Sequence, residues 1–566
     1  MASLYNFALI CQALSQTQSR LQIAEAVATF LASLDPAEAA ISARFLIGRA
    51  TEQGDEKRLQ ISGRAVWKIV AEIAGAEDQG EEIFATAEDF GDAIEIALKN
   101  RSPDPTPSLT ITELDAKFRE IAEIEGRHAR GRKLEALREL FIRASAMEAK
   151  YIAKILIGEM RHGMSEGVLI EAIAKMASRP VAEVRRLHML ESDVGRVVAT
   201  LRSSGADKAI ASALSGVAPV AAERAPKPLK PMLAQPAGDV AEAFAVLGPD
   251  LALEHKLDGA RVQVHCAVGE SVRIFSRRLN EITPSLPEVV EQMRALSGRR
   301  AIIDGEVIAI DSAGRPQAFQ ELMRRFGRTR EVDDARVEQP IRLYAFDLLA
   351  LDGKLLIDRP YAERIEALDS LTTTAEIATV GRVVRPRLPE AEKFYSEAVA
   401  AGFEGVMAKS IASKYTPGVR GRGWLKIKYS RTLDLVIVAA EWGYGRRKGW
   451  LSNYHLAARG ERADEFVTIG KTFKGFTDDQ FREMTERLLA LKIAEEHGVV
   501  TVRPAVVAEV AFNGIQRSPS YESGMALRFA RIVRIRDDRT AEGADTIATV
   551  TREYERQALK PLAEKL

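Results

Sequence analysis

The sequence predicts a multidomain protein: an all-α N-terminal region, an α/β region of mainly antiparallel strands, and a small C-terminal β-barrel. Three observations carry this. A chain of 566 residues exceeds what one hydrophobic core organises, so several globular units are expected. Apolar residues make up 46% and charged residues 28%, a composition that folds. The apolar period also changes along the chain, from three and four residues at the N-terminus to two after Pro236.

From Ser3 to about Leu201 apolar residues recur at helical spacing, as in Leu134, Leu137, Phe141 and Ile152, Ile155, Leu156. Ser102-Pro103-Asp104-Pro105 and Pro107 interrupt it, predicting a surface loop over Asn100 to Pro107. Between Ser203 and Pro236 the composition shifts to Ala, Pro, Gly and Lys, as expected of an extended connector. Strand patterning follows at Val262 and Val264, Val272 and Ile274, Ile302 to Ile310, Leu343 to Leu349 and Val406 to Ala408. A second shift follows Tyr429. Leu435 to Ala440, Tyr454 to Ala458, Phe466 to Ile469 and Val506 to Phe512 read as short strands separated by turns, the spacing of a small barrel.

The charges balance, 80 Lys+Arg against 80 Asp+Glu, so affinity for a polyanion has to come from local clustering. One cluster lies between Arg127 and Arg161, with nine basic residues against four Glu; it reads either as a solvated helix face or as a phosphate-binding surface. Two cysteines, Cys11 and Cys266, cannot make a disulfide scaffold or a four-cysteine zinc site, which fits a reducing, cytoplasmic setting. No segment matches a signal peptide or a membrane span, so secretion and membrane insertion are not expected.

The chemistry concentrates around Leu253-Glu254-His255-Lys256-Leu257-Asp258-Gly259-Ala260-Arg261. It reads as a hairpin, with a lysine ending an apolar strand before an Asp-Gly turn. Alone, that string describes a surface hairpin as readily as a nucleophile. A lysine amine attacks phosphorus when its charge is suppressed and the phosphate oxygens are neutralised, so a phosphoramidate mechanism is open to it. Gly470-Lys471-Thr472 ends like a P-loop, but Glu465 stands where the first glycine belongs, and the P-loop reading fails.

Further strings follow in order: Phe275-Ser276-Arg277, Ile303-Asp304-Gly305-Glu306, Tyr344-Ala345-Phe346-Asp347, Glu404-Gly405-Val406-Met407-Ala408-Lys409 and Trp424-Leu425-Lys426-Ile427-Lys428. With Ile515-Gln516-Arg517-Ser518-Pro519, Ala526 to Arg531 and Arg534 to Arg539 near the C-terminus, the set resembles the nucleotidyltransferase motifs of ATP-dependent DNA ligases, in their order. Ala149-Lys150-Tyr151 and Gly158 to Gly163 resemble that family's DNA-binding domain. The resemblance covers nearly the whole chain and is nearest to the three-domain ligases of archaea and some bacteria.

It implies a helical DNA-binding domain over 1–222, an adenylation domain over 223–430 and an OB-fold over 431–566. It implies that Lys256 is the adenylated lysine, that Glu254 contacts the adenine, that Arg261 and Arg277 hold ribose and phosphate, and that Phe346 stacks on the base. Glu306 and Glu404 would bind ribose and metal; Arg420, Lys426 and Lys428 would surround the ATP phosphates, with Arg531 and Arg539 in the last motif. Three positions depart from the family pattern: Ala530 where Pro is usual, Arg539 where Lys is usual, and Arg278 where Asn is more frequent. Arg539 keeps the charge but replaces a point ammonium with a planar fork.

The expected activity is sealing of nicks in double-stranded DNA, in replication, repair and recombination, by a nucleoid-associated cytoplasmic monomer using ATP and Mg2+. An RNA ligase or capping-type nucleotidyltransferase is the alternative, since both share the lysine motif. The NAD-dependent ligases are disfavoured because Cys11 and Cys266 cannot supply their zinc site. Recruitment by a sliding clamp stays open, with no clamp-binding segment legible.

Overall fold

The computed structural model describes residues 2–17, 19–53, 59, 61–99, 105–214, 228–267, 272–296, 298–311, 317, 319–326, 336–375, 377–416, 420–429, 431–443, 447–462, 464–496 and 498–558. The N-terminal region is all helical among these residues, running from α1 (Leu4–Ser15) to α13 (Ala206–Leu214). Most of its helices begin on side-chain caps. Thr110 and Glu113 form a reciprocal capping box at α7 (Ile111–Glu123), and Ser145 and Glu148 form another at α9 (Ala146–Ile157). The expected loop at Asn100 to Pro107 falls largely outside the described residues, which resume at Pro105. No helix among the described residues is long and apolar enough to cross a membrane.

The basic cluster does not form one solvent-facing surface. Lys150 is buried between Asp92 (2.5 Å) and Glu95 (2.9 Å), and Lys154 is buried against Asp89 (2.8 Å). Arg138 pairs with Glu72, and Arg143 with Glu113 at 3.3 Å. These acids lie outside the run from Arg127 to Arg161. A tally of charge along the sequence therefore misses the helix packing that neutralises it.

The expected extended connector is also corrected. It contains α13, and beyond residues 215–227, which lie outside the described set, the chain is pinned at once. The Leu229 N–H donates to Gln263 Oε1 (2.7 Å) and Gln263 Nε2 donates back to the Leu229 carbonyl (3.1 Å). Then β1 (Leu233–Ala237) pairs in parallel with β10 (Arg420–Lys428).

The middle region is built from two five-stranded sheets. The first has the order β1-β10-β9-β2-β8, with β2 at Leu251–Lys256, β8 at Arg382–Val384 and β9 at Gly405–Ser410. The second has the order β4-β3-β5-β6-β7, with β3 at Ala260–Cys266, β4 at Arg273–Ser276, β5 at Ala301–Ala309, β6 at Ile341–Leu351 and β7 at Lys354–Leu355. The β2-β3 hairpin read from the sequence is absent: the two strands belong to different sheets, and Leu257-Asp258-Gly259 carries the chain across from one to the other. Gly259 is required there because a Cβ would overlap the Val307 carbonyl on β5.

The C-terminal region is sheet-rich. β11 (Arg431–Trp442) and the 14-residue β15 (Val499–Phe512) pair at its centre; with β12 (Leu451–Arg459), β13 (Phe466–Thr472) and β14 (Lys492–Glu496) the order is β13-β12-β11-β15-β14, and β18 (Arg531–Ile535) also joins β15. The helix Asp478–Leu489 buries Phe481 and Leu488 in its core. A short ribbon of β16 (Gly514–Arg517) and β17 (Met525–Arg528) stands beside it.

Candidate active site

The two sheets of the middle region enclose a cleft of about 750 Å³. On the first sheet, register brings Lys256 of β2, Gly405 of β9 and Lys428 of β10 side by side. Gly405 has φ +137°, and a Cβ would overlap the Ile427 carbonyl, so the strands close up only because glycine stands there. Glu404 precedes it, fixed by its N–H to the Lys256 carbonyl (3.0 Å) and by the Tyr429 N–H to its own carbonyl (3.0 Å). Its carboxylate lies between the two lysines: Oε2 is 2.5 Å from Lys256 Nζ, and Oε1 accepts from Lys428.

Period two places Glu254 and Lys256 on one face of β2, and Trp424, Lys426 and Lys428 on one face of β10; these residues line the cleft. Burial opposes the charge on Lys256, but Glu404 and then Glu306 outweigh it and hold the ammonium above its ordinary value. Glu404 is the counterpart, its carboxyl kept low by the two lysines against the pull of burial. Glu306, on the opposite wall, makes no side-chain hydrogen bond or ion pair among the described residues. Burial pushes its carboxyl up to about 7, with Lys256 opposing.

On the second sheet Arg261 of β3 pairs in register with Glu306 of β5. Arg261 is committed to protein groups: Nε and Nη2 grip Asp304 (2.9 and 2.6 Å), Nη1 donates to the Met232 carbonyl (2.6 Å), and Nη2 also donates to Tyr415 Oη (3.0 Å). Four of its five N–H groups are thus spent, leaving one for a ligand. Phe346 occupies a bulge in β6, where the partners of Asp304 and Gly305 jump from Asp347 to Ala345. The bulge takes it out of strict alternation and sets the half-buried ring on the cleft, 5.4 Å from the Arg261 guanidinium.

Arg277 is exposed at the cleft rim. Arg420 opens β10, and its side chain lies outside the described residues. Arg531 and Arg539 do not line the cleft: Arg531 is exposed at the start of β18, and Arg539 pairs with Asp434 at 2.7 Å. The C-terminal residues on the cleft are instead Arg528, 2.9 Å from Asp258, and Phe529, which has φ +56° and faces the Lys428 ammonium at 5.9 Å. Sequence reasoning also missed Lys409. It ends the Glu404 to Lys409 string, and its period-two position after Gly405 and Met407 was the signal that could have found it.

Fold and site together define a protein that presents a lysine amine, flanked by carboxylates, to a cleft between two sheets. Three family models match in chain order: DNA ligase N terminus over residues 3–174, ATP dependent DNA ligase domain over 231–428, and ATP dependent DNA ligase C terminal region over 447–539. DNA ligase 1 of Korarchaeum cryptofilum is 41% identical, with 98% of this chain and 99% of that protein covered. DNA ligase 2 of Methanosarcina acetivorans is 37% identical, with 98% and 99% covered. The chain belongs to the ATP-dependent DNA ligase family. A solved structure named Pmar-Lig_PreS3, 18% identical, shares the fold with a TM-score of 0.56 over 94% of this chain and 99% of its own. These matches favour DNA ligase over the RNA-ligase or capping-type alternative.

Proposed function

We propose that this ligase seals nicked double-stranded DNA through Lys256. In the first step Lys256 Nζ, having lost a proton, bonds to the α-phosphorus of ATP, and the bond from that phosphorus to pyrophosphate breaks. In the second, the 5′-phosphate oxygen of the nick attacks the same phosphorus and the P–N bond breaks, freeing Lys256. In the third, the 3′ hydroxyl loses its proton, bonds to the 5′-phosphorus and expels AMP. What supports this reading most is the placement of the Lys256 amine in the cleft, where Glu404 at 2.5 Å fixes its position.

The remaining roles are assigned from position. Lys426, Lys428 and Arg277 meet the phosphates, Phe346 stacks on the adenine, and Arg261 orients the ribose with its remaining N–H, while Arg420 is assigned to the phosphates by the family resemblance alone. Arg531 and Arg539 reach the phosphates only after the C-terminal region moves. Glu306 and Glu404 fit a Mg2+ ion, which takes one or two carboxylates and completes its shell with phosphate oxygens and water. Glu306, a desolvated carboxyl with no direct cation partner among the described residues, has the character of such a ligand. When bound, the ion neutralises charge on the phosphates under attack. The same reading makes 1–222, 223–430 and 431–566 the DNA-binding, adenylation and OB-fold domains of a cytoplasmic monomer serving replication, repair and recombination.

Incubation of Lys256→Ala with α-labelled ATP is expected to give no labelled protein, while DNA already adenylated at its 5′ end is still sealed slowly. An undiminished adduct would remove Lys256 from the role.

A further inference from the structure

Resting on the reading of the cleft as an ATP site, we propose that Lys409 is a positioning residue that sets the cleft's purine preference by fixing the Glu254 carboxylate.

Lys409 and Glu254 are both buried, yet both lie on the cleft wall. Glu254 is held at each oxygen. Oε1 accepts from the Tyr361 hydroxyl and from Arg382 Nε (3.3 Å), and Arg382 is itself anchored on Asp369 (2.8 Å). Oε2 meets Lys409 Nζ at 2.5 Å.

The Lys409 ammonium has no hydrogen to spare. Besides Glu254 it donates to the Phe346 carbonyl and the Tyr361 hydroxyl, each at 3.3 Å. It also sits 4.3 Å from the ring centre of Trp424, 4.7 Å from Tyr361 and 4.8 Å from Phe346. A cation enclosed in this way cannot serve the triphosphate as Lys426 and Lys428 can. Its effect passes through the carboxylate it holds.

That carboxylate keeps one acceptor position open. Oε1 already accepts two hydrogen bonds and Oε2 one, so a single lone pair remains, on Oε2. A pinned group that can only accept selects a base edge carrying an amino group; an oxo group at the same place sets acceptor against acceptor. Phe346, beneath the same ammonium, supplies the flat wall for the ring. Without Lys409, Oε2 is no longer pinned, and discrimination between amino and oxo purines falls.

The test uses the full-length protein and labelled adduct formation with ATP and with inosine triphosphate, which differ at purine position 6. Wild type is expected to favour ATP. Lys409→Met is expected to raise the KM for ATP and cut the ATP-to-inosine-triphosphate ratio of kcat/KM, each on the order of tenfold, with a smaller change in kcat. Tyr361→Phe, which keeps the ring and removes one donor to Glu254, is expected to move the ratio less, in the same direction. It decides the matter if Lys409→Met does not fold. Equal losses with both nucleotides, leaving the ratio at its wild-type value, would overturn the role of Lys409. Wild-type protein that forms no adduct with ATP would instead overturn the reading of the cleft itself.

Discussion

At Arg261, two oxygens of Asp304, one carbonyl and one hydroxyl hold a single guanidinium. Asp304 is buried, so removing it strands a cation away from water. Asp304→Ala is expected to cost about 3 kcal/mol or more in urea unfolding, and Asp304→Asn, which keeps an acceptor, less. Wild-type stability in the alanine variant would refute this. His265 makes a pH-dependent contribution of opposite chemistry. It is buried, with Nε2 2.8 Å from Gln263 Oε1, and burial, aided by Arg273, lowers its pKa from 6.5 to about 3. Between those values the unfolded chain binds a proton that the folded chain refuses, so stability falls as pH drops from 6.5 toward 3. One such proton changes stability by about 1.4 kcal/mol per pH unit, and His265→Leu should remove that share of the acid slope. Identical slopes in urea unfolding across this window would show that His265 does not titrate as described.

Among the elements, helices α8 (Ala129–Arg143) and α9 separate two kinds of basic residue that a linear tally of charge merges. Lys150 and Lys154 are buried against Asp92, Glu95 and Asp89, whereas Arg127 and Arg130 are exposed around the start of α8. Lys150→Ala is therefore expected to destabilise the protein by about 3 kcal/mol and leave the salt dependence of nick binding unchanged. Arg127→Ala with Arg130→Ala should leave stability alone and flatten the slope of log affinity against log salt, by roughly one for each DNA phosphate no longer neutralised. The reverse pattern would restore the sequence-based view of one continuous basic face. The strands show why some features were legible and others were not. Apolar residues at period two located β3, β5, β6 and β9, although these strands are buried along most of both faces. That pattern could not show that β2 and β3 enter different sheets, nor that a bulge turns Phe346 toward the cleft, because strand pairing is fixed by residues far away in sequence.

At the scale of the molecule, the motif strings revealed which residues share a cleft, but not which part of the C-terminal region reaches it. Arg528 does, through Asp258, and both partners are partly exposed, so the pair is worth about 0.2–1 kcal/mol. Arg528→Asp is expected to slow adduct formation by less than about tenfold, and adding Asp258→Arg should recover most of that deficit. A double variant no better than the single one would mean that the pair does not hold the regions together. The boundary at the helical region is firmer: Met232, Ile357, Tyr415 and Trp424 share one continuous core with the N-terminal helices, so these units are joined by apolar packing as well as by the chain. The three residues that cross between the sheets set a different kind of limit. From Lys256 to Ala260, Leu257-Asp258-Gly259 reaches roughly 14 Å when drawn straight. It acts as a short rope knotted to Lys256 at one end and to the strand of Arg261 at the other. At that end the separation of the walls has a fixed upper limit, whatever the rest of the cleft does. Residues 378–381 tie the sheets a second time, the Ala345 N–H donating to the Ala378 carbonyl, the Val380 N–H to the Ala345 carbonyl and the His255 N–H to the Gly381 carbonyl, so the cleft is braced at two places rather than hinged at one.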